Sequence, residues 1–292
     1  MKIALFGKGF NNESIEYIKL LVDKLEHAGI SIMVYEPFFK TIAKIIHFNQ
    51  TVEVFTNHTQ IRHQADFLLS IGGDGTLLDT ITLVRDSGVP ILGINLGRLG
   101  FLASINKDMI IPSIHAIVDG NYSLDKRTLI KIDTENNLFG ELNYALNEMT
   151  VYKKNPHSML TIKVCVNNEF LNAYWADGLI IATPTGSTAY SLSCGGPIIT
   201  PDSENFIITP ISSHNLTVRP IVIPDNSLIK IQVESRESDY YASLDSRSIS
   251  IPSFTELTVK KESFHIHLVK MNNQNFFSTL RHKLLWGNDT RN

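Results

Sequence analysis

A chain of 292 residues, 43% of them hydrophobic, has room for one large or two moderate domains and a sizeable core. With 26 Lys and Arg against 29 Asp and Glu the net charge is −3, and no basic block marks a nucleic-acid surface, so any ligand must be recognised locally. The two cysteines, Cys165 and Cys194, support no disulfide framework, and neither a signal peptide nor a membrane-length apolar run is evident, so a cytoplasmic protein with no membrane partner is expected.

In chain order, the first part alternates apolar strands with helical periods. Strands are expected at 2–6, 32–35, 65–71 and 91–94, and helices at 13–28, 76–85 and 108–119. This alternation implies an α/β layer with a largely parallel sheet. Gly7-Lys8-Gly9 lacks the third glycine of a dinucleotide fingerprint and reads as a plain strand-to-helix turn. No glycine loop runs into Gly-Lys-Ser/Thr, which disfavours a Walker-type NTPase.

Between the strand at 65–71 and its following helix lies Gly72-Gly73-Asp74-Gly75-Thr76. Glycines let backbone N–H groups converge on an anion, because no Cβ blocks close approach. A carboxylate that only lined such a cradle would repel phosphate. Asp74 should therefore either hold a divalent cation bridging the phosphates or take a proton from an attacking hydroxyl. Both roles point to phosphoryl transfer, and the plain alternative is a turn with Asp as helix cap.

After Asn121 the chain turns β-rich, with strands expected at 129–133, 144–152, 160–166, 179–182, 228–234, 257–260 and 265–269 and a last helix at 276–285. Asn147-Glu148 interrupts the run 144–152. Adjacent strand residues point to opposite faces, so both can touch one ligand only if regular pairing breaks there. The strand at 179–182 runs into Thr183-Pro184-Thr185-Gly186-Ser187-Thr188-Ala189-Tyr190-Ser191-Leu192-Ser193, dense in hydroxyls and small residues, with Tyr190 as a flat surface for a base. His58 and His63 lack metal-ligand spacing. His265 and His267 read as a solvated strand face, Lys153-Lys154 as a solvated pair and Cys194 as a small buried residue.

The combination of G-G-D-G-T at 72–76, G-x-L-G-F-L at 97–102, L-N-E at 146–148, the long D-G-L-I-I-A-T-P-T-G-S-T-A-Y-S-L-S at 177–193, G-G-P at 195–197 and R-P at 219–220 resembles the NAD kinase family, ATP-dependent enzymes that phosphorylate NAD to NADP. The resemblance implies an α/β domain over 1–120 carrying the phosphate loop and a β-rich NAD-binding domain over 121–270. It also implies that a C-terminal helix within 271–292 returns to the first domain, and that the active site lies between the two.

Carried onto this chain, the resemblance makes Asp74 the catalytic residue and Gly72, Gly73, Asp74, Gly75 and Thr76 the phosphate loop. Gly75 and Asp74 would also touch NAD, and Phe101 would offer an apolar wall. Asn147 would bond adenine, with Glu148 and Asp177 on ribose hydroxyls. Thr188, Ala189, Tyr190 and Ser193 would surround the adenine, and Thr185, Ser191 and Leu192 would also bind NAD. ATP would be the donor with a divalent cation, Mg²⁺, and the assembly a homodimer or homotetramer in which a neighbouring subunit completes each pocket.

Two departures bear on affinity. Where the family usually follows Leu244-Asp245 with glycine and an amide, this chain has Ser246-Arg247. Serine would strain that turn, and Arg247 would offer a cation to a ligand phosphate. Asp79 is acidic where a basic residue is frequent. A lipid or sugar kinase sharing G-G-D-G, or a non-catalytic nucleotide sensor, are the other readings.

Overall fold

The computed structural model describes residues 1–97, 100–272 and 274–286. The chain forms two compact units, one of Met1–Lys126 with the chain from Ile266, the other of Arg127–His265.

The first unit runs β1 (Lys2–Gly7), α1 (Asn12–His27), β2 (Ser31–Tyr35), α2 (Glu36–Ile42), β3 (Glu53–Phe55), α3 (His58–Gln64), β4 (Phe67–Ile71), α4 (Asp74–Val84), β5 (Ile91–Asn95), β6 (Ile105–Asn106) and α5 (Ile110–Val118). Strands order β5-β4-β1-β2-β3 in parallel, with β6 beside β5. Both faces of such a sheet are covered by helices, so its strands read as continuous apolar runs. Every residue of β4 and β5 is accordingly buried. The helix α1 begins where the Asn11 side chain accepts from Ser14 N–H at 3.0 Å and buries the stripe Ile18, Leu21, Val22 and Leu25.

The expected strand at 65–71 starts two residues late. Ala65 closes α3, a helix too short and polar for its period to stand out. The helix expected from 76 begins at Asp74, which places the acid inside its first turn.

Two long strands, β7 (Tyr122–Thr134) and, near the end of the chain, one over Glu256–Met271, carry the chain between units. The second unit adds β8 (Tyr144–Ala145), β9 (Glu148–Tyr152), β10 (Leu160–Val166), β11 (Glu169–Ala176), β12 (Gly178–Ala182), α6 (Tyr190–Ser193), β13 (Asn205–Ile211), β14 (Ile221–Pro224), β15 (Ile229–Glu234), β16 (Asp239–Leu244) and β17 (Arg247–Pro252). The long strand at Glu256–Met271 is β18, and α7 (Phe276–Leu284) follows in the first unit.

Within the second unit β11-β10-β15-β18 form one antiparallel sheet and β14-β13-β12-β9-β16-β17 another. Ile162, Val164, Ile231 and Val259 from the first meet Val151, Leu179, Ile181 and Tyr240 from the second in one core. The unit is therefore a sandwich, with strands such as β10, β15 and β16 alternating buried apolar residues with more exposed ones.

Strands expected separately at 257–260 and 265–269 are one strand. β11, β13, β14, β16 and β17 were not expected from the sequence; in the edge strand β11, Glu169–Ala176, polar and apolar residues mix on both faces. His265 and His267 are half-buried rather than solvated, and His267 Nδ1 is buried.

The last helix starts as expected at Phe276. Its N-cap Asn275 accepts from Ser278 N–H at 2.8 Å, and Gln274 Nε2 donates to Ser104 O at 3.0 Å within the first unit. Of the segment 271–292 expected to pack there, 273 and 287–292 lie outside the described residues.

Candidate functional site

The first unit holds the glycine loop at the carboxyl end of β4, where ligands bind in open α/β sheets. Gly73 is the N-cap of α4 and Asp74 opens the helix. The amides of a first helical turn have no intrahelical partner and, with the helix dipole, favour an anion. Gly73 and Gly75 are exposed. Gly72 is not part of that offer, since its N–H already donates to Ile94 O at 2.9 Å.

Asp74 turns back onto the segment after β5. Its Oδ1 accepts from the N–H groups of Leu102 (3.1 Å) and Ala103 (2.8 Å), and its Oδ2 from Phe101 N–H (2.8 Å). An ionised carboxylate has about four acceptor positions, so among the described residues one remains, on Oδ2. A Cβ added at Gly100 would lie 1.8 Å from Asp74 Oδ1, which is why this approach needs glycine. The G-x-L-G-F-L motif is thus the wrapping that fixes the acid. Its Arg98 and Leu99 lie outside the described residues. Phe101 contributes its N–H to that wrapping, while its ring lies 5.9 Å from Lys283 Nζ.

Asp79, on α4, pairs with Lys8 of the Gly7-Lys8-Gly9 turn at 2.6 Å. The cation missing from α4 is supplied by that turn, in a pair too exposed to add much stability.

In the second unit the expected strand 144–152 breaks between Ala145 and Glu148. The break in regular pairing expected at this pair is present, and Asn147 and Glu148 sit at it. β9 pairs with β12 as far as Glu148 and with β16 as far as Met149, and beyond Met149 on the β16 side the carboxylate of Asp245 replaces the ladder. Its Oδ2 accepts from Leu146 N–H at 2.9 Å, and its Oδ1 from Asn147 (2.8 Å) and Glu148 (3.2 Å). Thr183 N–H donates to Asn147 O at 2.8 Å, and a Cβ at Gly186 would approach that carbonyl oxygen to 2.1 Å. The backbone of Asn147 is therefore locked on three sides.

The sequence reading named Asp245 only beside the departure at Ser246-Arg247 and gave it no contact with Asn147 and Glu148; its one signal was a lone acid in an apolar and polar mixture. Asp245 itself takes the positive φ of its hairpin loop, at 52°, so Ser246 does not strain it. Arg247, expected on a ligand phosphate, donates instead from Nη1 to Leu142 O and from Nη2 to Tyr144 O.

Around Glu148 lie Tyr190, Cys194 and Asp177. Burial pushes the Glu148 carboxyl up to about 8, the Asp245 charge adds to the rise, and the Tyr190 backbone N–H opposes it. Its Oε2 is buried without a partner among the described residues. Burial also raises the Tyr190 hydroxyl, with Cys194, Asp177 and Glu148 adding in that order, and raises the Cys194 thiol, which is only half-buried.

Asp177 is paired with Lys153 Nζ at 2.6 Å, which also donates to Pro156 O, so Lys153 is not a free surface charge. Lys154 is likewise paired, to Asp239 at 2.5 Å. Asp177 and Lys153 open onto a cavity of about 530 Å³ that His157, His214 and Leu216 also line, large enough for part of a dinucleotide.

The hydroxyl-rich segment divides into two sets. Thr185 and Ser191 are buried. Thr185 Oγ1 accepts from Arg127 Nη1 at 3.2 Å, and Ser191 Oγ lies 2.8 Å from Thr209 Oγ1. They support the turn from within. Thr188, Ala189 and Leu192 are half-buried, and Tyr190 and Ser193 are exposed.

A buried acid that ionises only near 8 fixes the sign of a pH effect. Its folded value lies above its ordinary 4.5, so its contribution is complete below 4.5 and is lost as pH rises through about 8. Ligand-free protein should lose up to about 1.4 kcal/mol of stability per pH unit across that window from this group. Thermal denaturation of the parent and of Glu148→Gln checks this. The variant should show the shallower pH dependence, and equal slopes would place the ionisation elsewhere.

Comparison with known families and structures agrees across the chain. The profile of the ATP-NAD kinase N-terminal domain matches residues 3–122, and that of the ATP-NAD kinase C-terminal domain residues 146–271. An NAD kinase of Cytophaga hutchinsonii is 46% identical over 293 residues, and one of Flavobacterium psychrophilum 45% over 294, each pair covering 100% of both chains. Among solved structures, yeast NADH kinase complexed with NADH superposes with a TM-score of 0.88 at 23% identity, covering 99% of this chain and 89% of that one. An NAD kinase from Archaeoglobus fulgidus in complex with ATP gives 0.76 at 24%, covering 98% and 99%.

Proposed function

The chain belongs to the NAD kinase family, and on that premise we propose that it moves the terminal phosphoryl group of ATP to the 2′-hydroxyl of the adenosine ribose of NAD, with Asp74 receiving the hydroxyl. The observation that carries this reading is the single acceptor position left on Asp74 Oδ2 beside exposed first-turn amides. A carboxylate held on three amides is preorganised, so orienting a hydroxyl costs no further rearrangement. Gly73 and Gly75 offer their N–H groups to the donor phosphates.

One free acceptor cannot both take the proton and ligate a cation. Among the described residues no group of three or more His, Cys, Asp or Glu is placed to cage a metal. This donor set fits Mg²⁺ carried by the phosphates with water, which is how that ion is commonly bound, and it would neutralise their charge there. In the second unit, the Asn147 side chain reads the adenine and Glu148 with Asp177 the ribose hydroxyls. Thr188, Ala189, Tyr190 and Ser193 face the base, with Thr185, Ser191 and Leu192 behind them. At neutral pH the protonated Glu148 both donates and accepts.

A coupled assay with ATP, Mg²⁺ and NAD, read as NADP formation, tests this. Phosphorylation of diacylglycerol or fructose 6-phosphate without NADP formation would overturn it. The free thiols of Cys165 and Cys194 fit a reducing compartment, the cytoplasm. We further infer a homodimer or homotetramer in which a neighbour completes each NAD pocket. Light scattering at assay concentration should give a multiple of 32.8 kDa, and a fully active monomer would refute the shared pocket.

A further inference from the structure

We propose that the β16–β17 hairpin is the positioning device of the NAD site, with Asp245 and Arg247 as positioning residues that act through the backbone of 142–148. The inference rests on the reading of Asn147 and Glu148 as NAD ligands.

The hairpin grips the irregular segment by both kinds of backbone group. Asp245 accepts the N–H groups of Leu146, Asn147 and Glu148, and its own N–H donates to Glu148 O at 3.0 Å. Two residues on, the Arg247 guanidinium donates to the carbonyls of Leu142 and Tyr144 and lies 5.8 Å over the Tyr144 ring. The pair Leu244↔Arg247 closes the loop, and the pair Leu244↔Met149 fixes the hairpin to β9 one residue past Glu148.

Consecutive strand amides point to opposite sides, so a single carboxylate can collect three of them only if the backbone turns there. That turn is what brings two adjacent side chains toward one ligand. The guanidinium fork suits two carbonyls that a neutral side chain could not both reach. The positive φ of the loop falls on Asp245, and Arg247 binds the segment further upstream.

Asp245→Asn keeps an oxygen for Asn147 and Glu148 and turns an NH₂ toward the Leu146 N–H. It should raise the KM for NAD roughly tenfold, with kcat and the KM for ATP within about twofold of the parent. Arg247→Lys, which loses the fork, should show the same pattern at smaller size. Because the device acts through Asn147, the effect of Asp245→Asn should shrink in an Asn147→Ala background instead of adding to it.

Fully additive effects, or a fall in kcat with the KM for NAD unchanged, would overturn the proposal. A normal KM for NAD in both hairpin variants beside a raised one in Asn147→Ala would remove the positioning role alone. A normal value in Asn147→Ala itself would remove the ligand reading and the proposal together. If neither hairpin variant folds, the hairpin's role is stability and the proposal fails.

Discussion

An Asp74→Asn variant is expected to form NADP at least about a hundredfold more slowly than the parent, the size of effect that removal of a positioned proton acceptor produces. The reason lies in the count of lone pairs. Asn can keep its oxygen on the Leu102 and Ala103 N–H groups, as Oδ1 does now. Its NH₂ then replaces Oδ2, the atom that accepts from Phe101 N–H and keeps the open position. A substrate hydroxyl arriving there would meet a donor instead of an acceptor. Because two of three wrapping bonds survive, the protein should fold and bind NAD with an affinity near that of the parent. Single-turnover NADP formation and NAD binding, measured on the same preparation, separate these effects. Turnover near the parent's would end the assignment of Asp74 as the receiving group.

The buried parallel strands β1, β2, β4 and β5 were legible because they are covered on both faces and spell apolar runs of strand length, whereas α2, β3 and α3, short and partly exposed, were not. The glycine loop was legible for the same local reason, a sharp turn with no Cβ. How Asp74 spends its lone pairs was not, since its partners lie 27 to 29 residues away along the chain. Gly100 shows the limit well: the motif was visible, but the 1.8 Å that makes glycine obligatory exists only in the folded protein.

In the second unit β16 and β17 stayed hidden, and with them went the hairpin that carries Asp245. Lys153 looked like a solvated charge because nothing in the local sequence announces its partner Asp177. The hydroxyls of Thr185 and Ser191 looked like ligands for the opposite reason, since a dense polar segment does not reveal which members face inward.

Asn147→Ala should weaken NAD binding by about 1 to 3 kcal/mol, roughly 5-fold to 150-fold in affinity, while barely moving the unfolding midpoint. Both halves of that expectation come from the same geometry. Asn147 holds its place through main-chain groups alone: N–H to Asp245 Oδ1, and C=O from Thr183 N–H. Its side-chain amide makes no hydrogen bond among the described residues, although the residue is buried, at 8% exposure. An uncommitted amide fixed at the edge of a buried site is poised for a partner that arrives with the ligand, and adenine offers both donor and acceptor edges. Alanine removes that amide and leaves every main-chain bond in place, so the ligand loses a partner while the fold does not. ATP affinity should stay within about twofold, because the phosphate loop belongs to the other unit and lies far from Asn147 in the chain. Isothermal titration with NAD and with ATP, beside a thermal melt, decides it. Normal NAD binding with a lowered melting point would make Asn147 a structural residue and remove the strongest residue-level support for adenine recognition at this strand break.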